Sequence, residues 1–181
     1  GSDVPTCKNP EYFRDAFNAV QELVGKGLLL AGHDISAGGL ITTLLEMCFA
    51  NTDGGMEINV DKFGHHDIVK ILLAENPGVV VQVADKDKHE FKKIMDEAGV
   101  GYVKLGHPTD ERLIQVTKDG AEYQFGIDYL RDVWFSTSYL LDRKQSMNGC
   151  AKARFENYKK QPLEMVFNKD FSGKLSQYGL N

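Results

Sequence analysis

The stretch "HDISAGGL" at 33–40 gathers a histidine, a carboxylate, a hydroxyl and two glycines within eight positions. The apolar run before it has strand length, and the run after it recurs at helical spacing, so the spacing predicts a strand ending near Gly32 and a helix beginning near Ala37. Ser36 is then the expected N-cap. A helix N-terminus carries unpaired N–H groups and a partial positive charge, worth roughly 0.3–1 kcal/mol toward an anion at an exposed site. Gly38 and Gly39 have no Cβ, so a phosphate can come close to the backbone. Asp34, two residues before the cap on the strand-to-helix loop, would repel a phosphate oxygen directly. It can hold Mg²⁺, which bridges phosphate oxygens. The expected site therefore has Asp34 on the metal and Ser36, Gly38 and Gly39 on the phosphate. On spacing alone, a capped helix with a tight entry and an ordinary loop carboxylate is the stronger reading. The stretch is no Walker loop, because it lacks Gly-Lys-Ser/Thr, and GxGxxG is absent.

These residues need a scaffold, and the chain supplies its pattern. Asn9-Pro10 is a cap followed by proline at the first helical position, and Phe13, Ala16, Phe17, Val20 and Val24 follow at helical spacing. Gly25 and Gly27 stop that helix, and Leu28–Ala31 is a short apolar strand. Leu40, Ile41, Leu44, Leu45, Cys48 and Phe49 form one face of the helix after the motif. "NTDGG" is a turn before the alternating strand "MEINV", "HDIVKILLAE" is a short helix broken at Pro77-Gly78, and "VVVQVA" is a buried strand. Asp85 is expected to cap a helix closed by Gly99, "YVKLG" to form a strand, and "RLIQVTKDGAEYQF" to form a hairpin turning at Asp119-Gly120. From about 126 the pattern is helical, with Ile127, Leu130, Trp134 and Leu141 on one side and a further helix in "AKARFENYKKQP". Beyond Leu163 no period is visible, and the tail reads as linker. Strands mixed with helices plus a hairpin give an α+β fold with a mixed sheet.

Other polar residues have plainer readings. Glu46, off the apolar stripe, is an ordinary solvated glutamate before it is a contact to a neighbouring domain, and His33 is a satisfied loop histidine before it is a substrate contact. The adjacent His65 and His66 cannot both face one metal from a regular element, and His107 and Asp110 flank Pro108 in a turn. Nothing has zinc spacing. Cys150 follows Gly149 with no apolar strand before it, which argues against a nucleophile elbow, so no catalytic residue is assigned. Trp134 with Phe135 and Tyr139 makes the late helix apolar on more than one side, mostly for burial.

A net charge of −5 argues against a general nucleic-acid binder. Three widely spaced cysteines without CxxC read as free thiols in a reducing compartment. The first twenty residues have no signal-peptide core, and no apolar stretch approaches the roughly 20 residues that span a bilayer. A cytoplasmic protein without nucleic-acid or membrane partners is expected.

"GHDISAGGLITTLLEMCFA" resembles the His-Asp-x-Ser-x-Gly-Gly-Leu segment of phosphoribosylformylglycinamidine synthase, in particular the second aminoimidazole-ribonucleotide-synthetase-like C-terminal domain of its large single-chain form. The likeness continues through "FANTDGG" to "WFSTSYLLDRKQ", which resembles the helix leading to a glutaminase domain. The resemblance implies a three-layer α/β/α architecture followed by a helical linker. It implies an ATP-dependent carbon–nitrogen ligase of purine biosynthesis with glutamine as amide donor. It also implies an auxiliary site for Mg²⁺ and ATP or ADP, with Asp34 on the metal and Ser36 on the nucleotide. Residues 1–8 are then a tag and lead-in, 9–125 the synthetase-like domain, and 126–181 an extension toward an absent glutaminase domain. The partners would be a preceding synthetase-like half, the glutaminase domain and the nucleotide, and the fragment would be inactive alone. Ala37 stands where many members have aspartate, so the mouth carries one negative charge less. Alternatives are a related aminoimidazole ribonucleotide or selenophosphate synthetase domain, a non-catalytic scaffold, or a small-ligand-binding domain.

Overall fold

Asn9 starts the first helix as the sequence predicts: its side chain accepts the Tyr12 amide at 3.0 Å, and Pro10 occupies the first turn, where no amide partner is needed. This helix, α1 (Pro10–Gly25), buries Ala19 and Leu23 against Ile94 and Met95 of α4 (Lys88–Glu97). The computed structural model describes residues 7–65, 67–157, 160, 170–174 and 176. The expected linker beyond Leu163 and the His66 half of the histidine pair lie mostly or wholly outside them.

The strands form two sheets. Strands β1 (Leu29–Ile35) and β3 (Gly78–Val83) make an antiparallel ribbon, with Asp34 opposite Val79. The other sheet has the order β4-β2-β5-β6, from β2 (Gly55–Asn59), β4 (Gly106–Thr109), β5 (Leu113–Lys118) and β6 (Ala121–Gly126). β2 and β5 run parallel and the other pairs antiparallel, so this sheet is mixed and the α+β class holds. The β5–β6 hairpin turns where expected, on Asp119 at φ 49° and Gly120 at φ 80°, both in the left-handed region that tight hairpins require.

The main core lies between the mixed sheet and the helices α2 (Gly39–Phe49) and α3 (Ile68–Leu73). Leu40 and Leu44 meet Ile58, Ile114 and Val116 there, and Ile127 closes it. Arg112 fastens one end. Its guanidinium donates to the carbonyls of Cys48 and Gly54 at 3.0 and 3.1 Å and to Asp128 Oδ1 at 3.0 Å, tying the end of α2 to the start of β2. Burial raises the Cys48 thiol pKa, and the Arg112 charge pulls it partly back.

A compact unit runs to Thr137 and a second from Ser138, the division falling within α5 (Ile127–Gln145). In the first unit Ile127 and Leu130 join the core, while Trp134 stays half exposed against Phe49. In the second, Tyr139 stacks on Phe155 of α6 (Cys150–Asn157), and Arg154 clasps Asp142, whose carboxyl it holds below the usual range. Cys150 is exposed at the first position of α6, with α5 rather than a strand before it. Among the described residues no helix is long and apolar enough to cross a membrane.

Three local expectations are corrected. The strand expected to end near Gly32 runs on to Ile35, because Gly32 to Ile35 pair with Val81 to Gly78. Residues 101–105 are irregular, and β4 begins only at Gly106, where pairing with Ile58 starts. Asp85 does not cap α4. It opens a short 3-10 turn (Asp85–Asp87), and its carboxylate pairs with Lys88 at 2.6 Å.

Candidate functional site

The motif folds as strand, tight turn and helix, but each residue's place is set by contacts outside the motif. Asp34 sits on β1, not on a loop, and its side chain is 73% exposed. His33 Nδ1 donates to the Asp34 carbonyl at 2.8 Å and lies 3.5 Å from its carboxylate, while Nε2 faces Glu46 Oε2 at 3.6 Å. Glu46 is thus a half-buried partner of His33, not the freely solvated glutamate expected. Thr43 is buried, and its hydroxyl is shared between the carbonyls of Asp34 and Gly39 at 3.1 and 3.2 Å. That bond ties the end of β1 to the first turn of α2.

Ser36 is not the N-cap. The cap residue is Gly38, in the left-handed region at φ 86°, and no side chain caps the helix. A cap at Ser36 would put Gly38 inside the helix, which its φ forbids. The Ser36 carbonyl accepts the Gly39 amide at 3.0 Å and closes the turn, leaving the Ser36 side chain exposed. The Gly38 amide donates to Glu75 Oε1 at 2.8 Å, so a carboxylate from the end of the α3 segment already sits on the helix mouth.

Both glycines also have structural reasons. A Cβ on Gly38 would lie 2.3 Å from Thr42 Oγ1, and one on Gly39 2.6–2.8 Å from the backbone of Leu72 and Leu73. Gly39 is therefore where α2 and α3 cross at backbone distance.

Residues 2–119, more than half of the chain, match the family described as "AIR synthase related protein, C-terminal domain". The chain belongs to this family. It is 35% identical over 154 residues to the human phosphoribosylformylglycinamidine synthase, covering 83% of this chain and 11% of that one. It is 32% identical over 161 residues to a probable phosphoribosylformylglycinamidine synthase, chloroplastic/mitochondrial, of Arabidopsis thaliana, covering 88% of this chain and 11% of that one. The chain thus spans about a tenth of the length of these relatives. A solved structure of T. maritima PurL complexed with ATP shares the fold with a TM-score of 0.61 at 17% identity, over 69% of this chain and 22% of that one.

Within this AIR synthase related domain, no group of three His, Cys, Asp or Glu stands close enough to hold a metal ion among the described residues. Thr42, Thr43 and Glu75 are the neighbours that sequence reasoning missed. The threonines carry a local signal, each four residues after the glycine whose carbonyl it meets, a spacing at which such hydroxyls bond back. Glu75 lies 37 residues from Gly38 and has none.

Proposed function

We propose that the chain is a domain of a phosphoribosylformylglycinamidine synthase, which makes formylglycinamidine ribonucleotide from formylglycinamide ribonucleotide, glutamine and ATP. It supplies part of an auxiliary Mg²⁺–nucleotide site and does not catalyse alone. The observation that carries this reading is the 35% identity to the human synthase over 83% of the chain. Residues 9–125 form the synthetase-like body, 1–8 its lead-in, and 126–181 an extension toward a glutaminase domain. A preceding synthetase-like half completes the nucleotide site.

At the site Asp34 holds Mg²⁺, and the Ser36 hydroxyl donates to a phosphoryl oxygen. Mg²⁺ supplies charge neutralisation at the phosphate oxygens. Gly38 contributes its amide once Glu75 gives way, since both anions compete for that donor. Gly39, whose amide is held by the Ser36 carbonyl, keeps the backbone close and adds no free donor as it stands.

The test is Asp34→Asn in the intact synthase, with Mg-ADP binding measured by calorimetry. Loss of one carboxylate–metal contact should weaken binding by about tenfold or more, or roughly 1.4 kcal/mol. Unchanged binding removes Asp34 from the site. One observation favours a second reading, a scaffold with no ligand at this mouth: the amides of Gly38 and Gly39 both have acceptors within the protein. Wild-type protein that binds no Mg-ADP here would select that reading.

A further inference from the structure

Thr43 is a polar residue in an apolar place. It is 1% exposed on α2, among the buried Leu40, Ile41, Leu44 and Leu45. A buried hydroxyl costs stability unless it is hydrogen-bonded, and valine would fill the same space without that cost. The bond to the Gly39 carbonyl, four residues back at 3.2 Å, is the ordinary one for a helical threonine and satisfies the hydroxyl by itself. Thr42, half-buried beside it, makes a bond of that same local kind, to the Gly38 carbonyl at 3.1 Å.

The second acceptor of Thr43 is not local. It is the carbonyl of Asp34, nine residues back on β1, at 3.1 Å. His33 Nδ1 donates to the same oxygen at 2.8 Å. A carbonyl oxygen has two lone pairs and can accept both. Two donors, one from α2 and one from the strand itself, fix the orientation of that oxygen. The peptide unit is planar, so the plane joining Asp34 to Ile35 is fixed with it. Rotation about the Asp34 Cα–C bond is the motion that swings the Asp34 side chain relative to Ser36. The Thr43 hydroxyl restrains that rotation from α2, whose first turn forms the mouth.

We infer that Thr43 is a positioning residue, whose hydroxyl holds the Asp34 main chain so that the carboxylate stands where metal and phosphate meet. The inference rests on the reading of Asp34 as the Mg²⁺ holder in a longer synthase. Thr43 is buried, so it reaches neither ligand and acts through Asp34.

The test is Mg-ADP binding by calorimetry in the intact synthase, with Asp34→Asn measured beside threonine variants. Thr43→Val removes the hydroxyl and keeps the shape, and should weaken binding about 3–10-fold, the scale of one hydrogen bond. Thr43→Ser keeps the hydroxyl and should bind within about twofold of the wild type. Thr42→Val loses a back-bond of the same local kind and should also stay within about twofold. Because Thr43 acts through Asp34, adding Thr43→Val to Asp34→Asn should cost less than about twofold further, whereas a general loosening of the helix would add in full. Urea unfolding checks that each variant is folded, and Thr43→Ala takes the place of a valine variant that is not. Weakened binding in Asp34→Asn with unchanged binding in Thr43→Val overturns this inference and leaves the site reading standing. Equal losses in Thr42→Val and Thr43→Val, or full additivity in the double variant, overturn it by assigning the effect to α2 as a whole. Unchanged binding in Asp34→Asn, or none in the wild type, removes the site reading and this inference with it.

Discussion

Replacing Gly39 with alanine separates the two roles a glycine at this mouth can have. If the residue is glycine so that a phosphate can approach, alanine should harm ligand binding and spare the fold. The geometry points the other way. Gly39 has φ +71°, and an added Cβ would meet Leu73 C at 2.6 Å, Leu72 O at 2.7 Å and Leu73 Cα at 2.8 Å. All three are backbone atoms, so no side chain can swing aside, and α2 and α3 must part. A left-handed non-glycine costs about 1–2 kcal/mol, and forcing extra volume into packed structure about 1–3 kcal/mol. Together that is about 2–5 kcal/mol against a typical domain stability of about 5–15 kcal/mol. The control is Gly25→Ala, at the end of α1, where φ is ordinary and nothing stands within 4 Å of the new methyl. It should be neutral or stabilise by up to about 1 kcal/mol. Urea unfolding followed by circular dichroism, without nucleotide, should show a large fall in midpoint for Gly39→Ala alone. If Gly39→Ala unfolds with the wild type while Mg-ADP binding is lost, close helix packing is not why this position is glycine.

Glu75→Ala in the intact synthase should tighten Mg-ADP binding by about 3–10-fold, or about 0.7–1.4 kcal/mol, because a competing carboxylate leaves the Gly38 amide. Unchanged affinity in calorimetry would mean that phosphate does not use that amide. Acid stability should depend on Asp61, whose carboxyl is held below its ordinary value of 3.8 first by the Asp119 amide and then by the Asn59 side chain. A lowered folded-state pKa stabilises fully above the ordinary value and loses its effect as pH falls through the folded one. Asp61→Asn should therefore flatten the decline of Tm below about pH 4, and an unchanged slope in thermal melts would show that the hairpin bond carries no linkage.

What could be read along the chain was whatever rests on neighbours in sequence. Asn9-Pro10, Asp119-Gly120 and Gly99 punctuate elements through their own backbone preferences, and each does so where expected. The errors lie where a distant strand decides. "YVKLG" alternates like a strand, yet alternation specifies a face and not a partner, and regular pairing with β2 begins at Gly106. His33 and Asp34 look like loop residues because polar groups follow an apolar run, but Val80 and Val79 pair with them and extend β1. Ser36 has the composition of a cap, and the glycine pair after it suggests room for a ligand. The same pair supplies the left-handed turn, which moves the cap to Gly38. The exposed acid of the candidate site was therefore visible in sequence, whereas its internal competitor, Glu75, was not.

The site combines a fixed backbone with a free side chain. Strand pairing with Val79 and the Thr43 hydroxyl hold the Asp34 main chain on both sides, so its Cα is placed by the fold and not by a ligand. Its carboxylate is 73% exposed and lies 3.5 Å from His33 Nδ1. Holding a divalent ion would cost that side chain its rotamer freedom for one coordinate bond. A single exposed carboxylate also leaves most of the coordination shell to water. On the proposed reading, phosphate oxygens would change that balance by sharing the ion with Asp34, and the Ser36 hydroxyl would donate to the phosphate. Glu75 opposes the assembly by holding the amide that a phosphate needs. On the proposed reading, binding at this mouth would be joint, with metal and nucleotide each weak alone and the exchange of the Glu75 carboxylate for a phosphate oxygen completing the site.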